Sequence, residues 1–279
     1  MTDKPSSLTD SHLRTVGPGD STGTIRKHQP ARRELDRDHR SEAGSDTAIL
    51  VPIKSFTWAK TRLRSILNDE DRVMLAQMLA LNALDSLAHQ ASTFAVADDE
   101  RVISYVRSSG HTAITVPSRG LNTGLRSALE IVASKGFRRA LIIHSDIPLI
   151  GSITSHLTAL EEGRAVITPD RHGDGTNLLG FPLYNQPTLH FGQRSAPEHL
   201  RSLRAHGLET SVIMSRYLAF DLDTPIDLTE FLKLELIRPR SPHLAEFLHQ
   251  TRLTVPSMTA HNPSSPVTNN ALTNVVTPT

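Results

Sequence analysis

The sequence contains no cysteine. That excludes disulfides, cysteine nucleophiles, thiolate zinc sites and iron–sulfur clusters, and it fits a reducing compartment. An excess of one charge is missing too. Thirty Lys and Arg face 29 Asp and Glu, so no overall field draws the chain to nucleic acid or to an anionic membrane. No stretch approaches the roughly 18 apolar residues of a membrane-spanning helix, and the N-terminus lacks the apolar core of a secretory signal. Nor is there a Walker-type G-x-x-x-x-G-K-[ST] loop anywhere in the chain. A soluble, cytoplasmic protein is expected, with no nucleic-acid or membrane partner. Hydrophobic residues at 38% and charged residues at 21% are a balance that can still bury a core.

Residues 1–46 are polar, broken by Gly, Pro and Ser, and carry eight basic and eight acidic residues. Such a segment cannot bury enough apolar surface to offset its ordering entropy, which predicts a disordered tail. Arg26, Lys27, Arg32 and Arg33 could form a basic arm, but nearby acids dilute it. From about Pro239 to the end, Pro, Ser, Thr and Asn occur without sustained periodicity, predicting a loose C-terminal tail over 239–279 that holds at most a short helix at 243–250.

Between the tails, residues 47–238 read as one domain. Short β-branched runs at Ala48–Ile53, Thr93–Ala97, Thr112–Val116, Ala140–Ile143 and Ala165–Ile167 have the character of buried parallel strands. Val73, Ala76, Leu79, Ala83, Leu84 and Leu87 share one helical face, and further helices fit 99–108, 123–135 and 152–161. Strand–helix–strand order repeated in this way predicts an α/β fold, a mostly parallel sheet with helices on both faces. Ligands of open α/β sheets bind beyond the C-terminal ends of the strands.

Chemistry-bearing residues fall there. Lys54, Lys60 and Arg62 follow the first strand; they are either solvated surface cations or the charge neutralisation a triphosphate needs. Asp146, directly after the fourth strand, suits either a turn or a Mg²⁺ ion, and His144 beside it reads as hydrogen-bonded packing. If Phe220–Asp223 is a strand, Asp221 and Asp223 share a face while Phe220 and Leu222 point to the core. Two carboxylates on one face repel unless a cation or a proton intervenes, and a metal is favoured. Thr224, Pro225 and Asp227 then read as a helix start. Asp170 to Leu178 is a glycine-containing loop in which Thr176 could offer its hydroxyl and N–H to an anion; a tight hairpin would use the same residues. Ser195 and Glu198 stand at capping-box spacing, marking a helix N-terminus, and Gly192 just before it leaves room for an anion.

Taken in order, P-x-K with A-K-T-R-L, Gly120-Leu121-Asn122, D-x-P after the fourth strand, D-R-H-G-x-G-T-N, the Phe191–His199 segment and D-x-D-T-P-x-D-L resemble the guanylyltransferases of coenzyme F-420 biosynthesis, over about 48–232. These act on 2-phospho-L-lactate, phosphoenolpyruvate or 3-phospho-D-glycerate. The resemblance implies a single-domain nucleotidyltransferase fold of the glycosyltransferase-A type, GTP as co-substrate, Mg²⁺ and a homodimer. It implies metal binding by Asp146, Asp221 and Asp223, and acid-substrate binding by Thr176, Gly192 and Ser195. Lys54, Lys60 and Arg62 would neutralise the triphosphate, Asn122 would lie near the nucleoside, and Lys60, Asp146 and Asp223 would form the catalytic group. Ser145 and Gly124 stand where such enzymes often have Ala. Gly-Thr-Asn at 175–177 looks less like the actinobacterial phosphoenolpyruvate branch, which puts lactate or glycerate ahead. The rivals are another nucleotidyltransferase of this fold, such as a molybdopterin guanylyltransferase or a sugar-phosphate enzyme, and a non-catalytic module that binds GTP or a metabolite.

Overall fold

The computed structural model describes residues 46–117, 120–237 and 241–251. The tails expected over 1–46 and the last twenty residues therefore lie outside the described residues, apart from Asp46. Strand β1 (Thr47–Pro52) is buried along its whole length because it sits between two parallel neighbours, β2 (Ser92–Ala97) and β4 (Arg139–Ile143). Side-chain alternation divides it between the two faces of the sheet: Ile49 and Val51 enter one core, Ala48 and Leu50 the other. Beyond β2 lies β3 (Thr112–Thr115), and beyond β4 follow β6 (Thr176–Pro182), β5 (Ala165–Pro169) and β7 (Thr210–Val212). The seven-stranded order is β3-β2-β1-β4-β6-β5-β7, with β6 antiparallel to both of its neighbours and all other pairs parallel.

Helices cover both faces. On one face, α1 (Asp69–Ala88), α2 (Glu100–Ser108) and α4 (Thr154–Glu161) pack over Ile49, Val51, Leu141 and Val166. On the other, α3 (Leu121–Ser134) and α5 (Ser195–Ala205) pack over Leu50, Ile142, Ile167 and Phe181. The expected α/β class and the five expected strands are all present. Helix α1 starts where Asn68 caps it, its side chain accepting the Asp71 N–H at 2.8 Å, and Asp69, Glu70 and Asp71 complement the helix dipole. Its buried residues serve two cores. Ala76, Ala80, Ala83, Leu84 and Leu87 face the sheet, while Leu75 and Leu79 join a third cluster with Leu63, Leu67, Phe220, Leu222, Leu228 and Phe231.

That third cluster extends past the expected boundary at 238. Helix α7 (Pro242–Gln250) buries Leu244 and Leu248 in it, and Ser241 Oγ donates to the Pro148 carbonyl at 2.9 Å. The short helix expected at 243–250 is therefore formed, and it packs on the domain's third cluster. Strand β6 is a second difference. The glycine-containing stretch at 170–175 is the hairpin connection between β5 and β6, closed by the Asp170 N–H donating to the Gly175 carbonyl at 2.9 Å, so Thr176 opens a strand. A third is that Phe220–Asp223 is not a strand: the Leu222 N–H donates to the Asp146 carbonyl at 3.0 Å, one bond in place of a ladder.

Candidate active site

A cleft of about 410 Å³ opens at the C-terminal ends of β1 and β4 and is lined by Lys54, Lys60, Arg62, His144, Asp146 and Asp223 among others. The segment after β1 forms two single turns of 3-10 helix, Phe56–Trp58 and Thr61–Leu63, with Phe56 and Leu63 buried beneath. Between them Lys60 takes a left-handed backbone conformation, φ 53°, which costs a non-glycine residue roughly 1–2 kcal/mol. That conformation accompanies an inward turn of the side chain. Lys60 Nζ lies 2.8 Å from Asp223 Oδ1 and 3.4 Å from Asp146 Oδ2, with only 8% of its side chain exposed. Lys54 and Arg62 stay exposed on the cleft wall.

The backbone bond from Leu222 to Asp146 places the two acid segments side by side. Asp223 is held from below by a helix cap. Asp227, in the first turn of α6 (Pro225–Ile237), accepts the N–H groups of Asp223 at 2.9 Å and Thr224 at 2.6 Å, and Thr224 Oγ1 accepts the Asp227 N–H at 3.3 Å. Arg171 pairs with the other oxygen of Asp227 and with Glu230, and lies 5.2 Å over the Phe220 ring. The helix start expected at Thr224–Asp227 is therefore formed, and it serves to position Asp223.

Electrostatics follow from this packing. Burial alone would push Lys60 down, but Asp146 and Asp223 outweigh it and hold the ammonium above its ordinary value. Burial likewise opposes ionisation of Asp146, yet Lys60 and then His144 keep the carboxyl below the usual range. For Asp221 the balance goes the other way: burial, then the charge of Asp146, pushes it up to about 6. Burial pushes His144 down, and its Nε2 and the Oδ1 of Asp146 are both buried without a hydrogen-bond partner. Among the described residues no three His, Asp or Glu side chains close up into a ready ion site. The ammonium stands between two of the expected metal acids instead. An orphaned Asp146 oxygen, a second carboxylate at the same cation and a third acid held back from ionising fit a divalent ion of oxygen-ligand preference.

A neutral hydrogen-bonded arrangement occupies the α5 side of the sheet. Thr176 Oγ1 is 2.9 Å from His199 Nδ1, and His199 Nε2 accepts the His190 N–H at 2.8 Å. Asn122, on the first turn of α3, accepts the Phe191 N–H at 2.8 Å and donates to the Phe191 carbonyl at 3.0 Å. Asn122, which the resemblance puts near the nucleoside, uses both ends of its amide to hold the span that leads into Gly192. Gly192 itself has φ 145°, a conformation L side chains rarely adopt. Helix α5 starts at Ser195 as expected, but no capping box forms. Arg194, left-handed at φ 52°, is the N-cap, Ser195 is buried one position further in, and Glu198 pairs with Arg201. The Ala196 N–H donates to the Asp174 carbonyl at 2.9 Å, tying the helix start to the hairpin before Thr176.

Sequence reasoning missed His199 as a member of this side, although it stands four residues after Ser195, one helical turn. Asn177 is buried with its amide donating to the Leu218 carbonyl at 3.0 Å, so it braces the 215–223 stretch. A Cβ at Gly124 would lie 3.0 Å from Val116 Cγ2, so glycine there lets Val116 close on α3 at a smaller cavity that both residues line.

The chain is 33% identical over 213 residues to a 2-phospho-L-lactate guanylyltransferase of Methanothermobacter thermautotrophicus, covering 75% of this chain and 92% of that one. It is 32% identical over 189 residues to a phosphoenolpyruvate guanylyltransferase of Sphaerobacter thermophilus, covering 66% and 91%. With a 3-phospho-D-glycerate guanylyltransferase of Phenylobacterium zucineum it shares 27% over 190 residues, 65% and 87% of the two chains. In three dimensions it is similar to a putative nucleotide-diphospho-sugar transferase from Desulfovibrio desulfuricans G20, TM-score 0.63 at 20% identity over 74% of this chain and 98% of that one, which shows the fold. The family model described as guanylyl transferase CofC like matches residues 47–267, and the chain belongs to that family.

Proposed function

We propose that the protein transfers the GMP moiety of GTP to a small phosphorylated carboxylic acid, with release of pyrophosphate, as a step of coenzyme F-420 biosynthesis. The observation that carries this is the cation–acid cluster of Lys60, Asp146 and Asp223 in a cleft at the C-terminal edge of the sheet. An oxygen of the acid's phosphate attacks the α-phosphorus of GTP. A new P–O bond forms as the bond to the bridging oxygen breaks, and that oxygen leaves with pyrophosphate. The attacking oxygen is already anionic, so no general base is required, and catalysis is positioning and charge neutralisation.

Lys54 and Arg62, exposed on the cleft wall, would meet the triphosphate, and Lys60 would neutralise the acids while the cleft is empty. Asp146, Asp221 and Asp223 would hold Mg²⁺, which when bound supplies charge neutralisation at the phosphates. Thr176, Gly192 and Ser195 would receive the acid: one hydroxyl, one open backbone position and the N-terminus of α5, whose dipole favours an anion although the Ala196 N–H is already bonded to Asp174 and Pro197 has none. A cytoplasmic setting and a homodimer, as the family resemblance implies, complete the proposal; no described helix is long and apolar enough to cross a membrane.

The test is pyrophosphate release with Mg²⁺ and GTP, offering 2-phospho-L-lactate, phosphoenolpyruvate and 3-phospho-D-glycerate separately, with ATP, CTP and UTP as controls. Turnover with GTP and one acid is expected. GTP binding without turnover for any acid would replace the proposal with a nucleotide-binding module.

A further inference from the structure

Two buried threonine–histidine pairs lie on neighbouring strands, and they differ in where the hydroxyl proton goes. Thr168 on β5 meets His156 of α4, with Oγ1 2.9 Å from His156 Nε2, and the same hydroxyl donates to the Ile213 carbonyl at 2.8 Å. Its proton is committed to that carbonyl, while His156 Nδ1 is buried without a partner. Thr176 on β6 meets His199 of α5 with Oγ1 2.9 Å from Nδ1. Here the other ring nitrogen decides the matter. A backbone N–H can only donate, so the His190 N–H at 2.8 Å requires His199 Nε2 to be a bare acceptor. A neutral imidazole with bare Nε2 carries its proton on Nδ1. His199 therefore donates to Thr176 Oγ1, and the hydroxyl's own proton must point elsewhere. Among the described residues no acceptor is paired with it.

The ring has no freedom to reverse this. His199 is fully buried, the Phe191 ring packs edge-on to it at 4.6 Å, and the His190–Phe191 span is pinned on its far side by Asn122. Burial, with smaller contributions from His190 and His144, also keeps the imidazole neutral, down to about 3.

We infer that His199 is a positioning residue for the acid substrate: by donating from Nδ1 to Thr176 Oγ1 it leaves the proton of this buried hydroxyl uncommitted, as a donor for a carboxylate or phosphate oxygen. This rests on the placing of Thr176 in the acid site under the proposed function. It assigns His199 no contact with substrate and no proton transfer; the imidazole fixes which way one hydroxyl points. The His156 pair supplies the internal control, since it has the same two residue types with the proton already engaged.

The experiment separates the premise from the inference. Steady-state kinetics are measured on the full chain with the phospho-acid that supports turnover, varying acid and GTP independently. Thr176→Val comes first. A rise of about tenfold in KM for the acid, with KM for GTP unchanged, is expected from the loss of one hydrogen bond to a charged group. An unchanged KM would remove Thr176 from the acid site, and the inference about His199 with it.

Two variants of His199 then divide its two bonds. Asn places an amide N–H near the Nδ1 position and keeps the donor to Thr176. Gln reaches to the Nε2 position, keeps an acceptor for the His190 N–H, and loses that donor. His199→Asn is expected to stay within about twofold of the parent in KM for the acid, whereas His199→Gln should raise it about fivefold. Adding His199→Gln to Thr176→Val should change KM for the acid no further. His156→Gln should lower the melting temperature and leave KM alone. Equal KM values for the Asn and Gln variants, or full additivity with Thr176→Val, would overturn the inference while leaving Thr176 in place. Because a His199 variant could fail to fold, the tautomer is also read in the unmodified protein by ¹⁵N–¹H correlation of labelled histidine. A proton on Nδ1 is expected, with and without the acid, and a proton on Nε2 would overturn the inference outright.

Discussion

Two clusters of candidate site residues hold their atoms by different physics. On the β1–β4 side, Lys60, Asp146 and Asp223 are fixed by Coulomb attraction, with contacts of 2.8 and 3.4 Å from one ammonium. On the α5 side, Thr176, His199, the His190 N–H, Asn122 and Phe191 are fixed by hydrogen bonds of 2.8–3.0 Å between neutral groups. Charge attraction tolerates small changes of angle and adapts when a second cation arrives. A neutral relay tolerates neither a rotated ring nor a moved proton. The difference suits the tasks proposed for each: one side accommodates a triphosphate with its metal, and the other presents one hydroxyl in one direction.

The largest expected effect breaks the charged side. Asp223→Asn removes the carboxylate closest to Lys60 and should lower turnover on the order of a hundredfold with the fold retained, as loss of a metal ligand does. Steady-state rates with a circular dichroism check would decide it, and an unaltered rate would take Asp223 out of the site. Next comes the cation itself. Lys60→Met leaves Asp146 and Asp223 side by side without the ammonium that pairs with both. Breaking a fully buried pair costs about 3–5 kcal/mol; the part-exposed carboxylates reduce this to about 2 kcal/mol. That is a fall in melting temperature on the order of 5 °C. A melting point equal to the parent's would mean that the ammonium does not stabilise the acids.

On the neutral side, Asn122→Ala removes two bonds to Phe191 and should cost about 1–2 kcal/mol. KM for the acid should rise while KM for GTP stays put, because the span leading to Gly192 is released. If KM for GTP moves instead, Asn122 belongs to the nucleotide after all.

The smallest effect sharpens the contrast through pH. His199 and His156 are held down to about 3 and about 4 by burial, so between those values and about 6.5 the unfolded chain binds more protons than the folded one. Their stabilisation is complete above pH 6.5 and is lost as pH falls through that window. Asp221, pushed up to about 6, runs the other way, its folded form holding a proton that the unfolded form releases. The net slope mixes the three, but the difference between parent and His199→Asn isolates one. Urea denaturation at a series of pH values should show the variant's slope shallower by about one proton, near 1.4 kcal/mol per pH unit. Parallel curves would mean that His199 is not held neutral.

Much of the molecule is legible in its residues before any coordinates. Strands at the middle of a sheet need short apolar, β-branched runs, so β1 through β5 announce themselves, and a cap with a first-turn proline announces α6 at Thr224-Pro225. The features that escape are those whose signal is shared with something commoner. Strand β6 opens with Thr-Asn and contains Gly180, and its hairpin uses the residues of any polar loop. Ser195 and Glu198 have capping-box spacing, yet Arg194 takes the cap and Glu198 turns to Arg201, because spacing does not fix which partner a side chain chooses. The Asp221–Asp223 pair looks like a strand face, but the Leu222 bond to the Asp146 carbonyl and the Asp227 cap are what place it.

By itself the sequence determines the fold class, the family and the identity of the acids and cations at the sheet edge, because hydrophobic periodicity and residue chemistry are local properties of the chain. Only the tertiary structure decides that Lys60 turns inward to stand between Asp146 and Asp223, that Asn122 grips Phe191, and that His199 sets the direction of the Thr176 hydroxyl. Each of these joins residues 23 to 163 positions apart in the chain. Which donor meets which acceptor at such separations is fixed by packing, through distances and angles that no spacing in the sequence encodes.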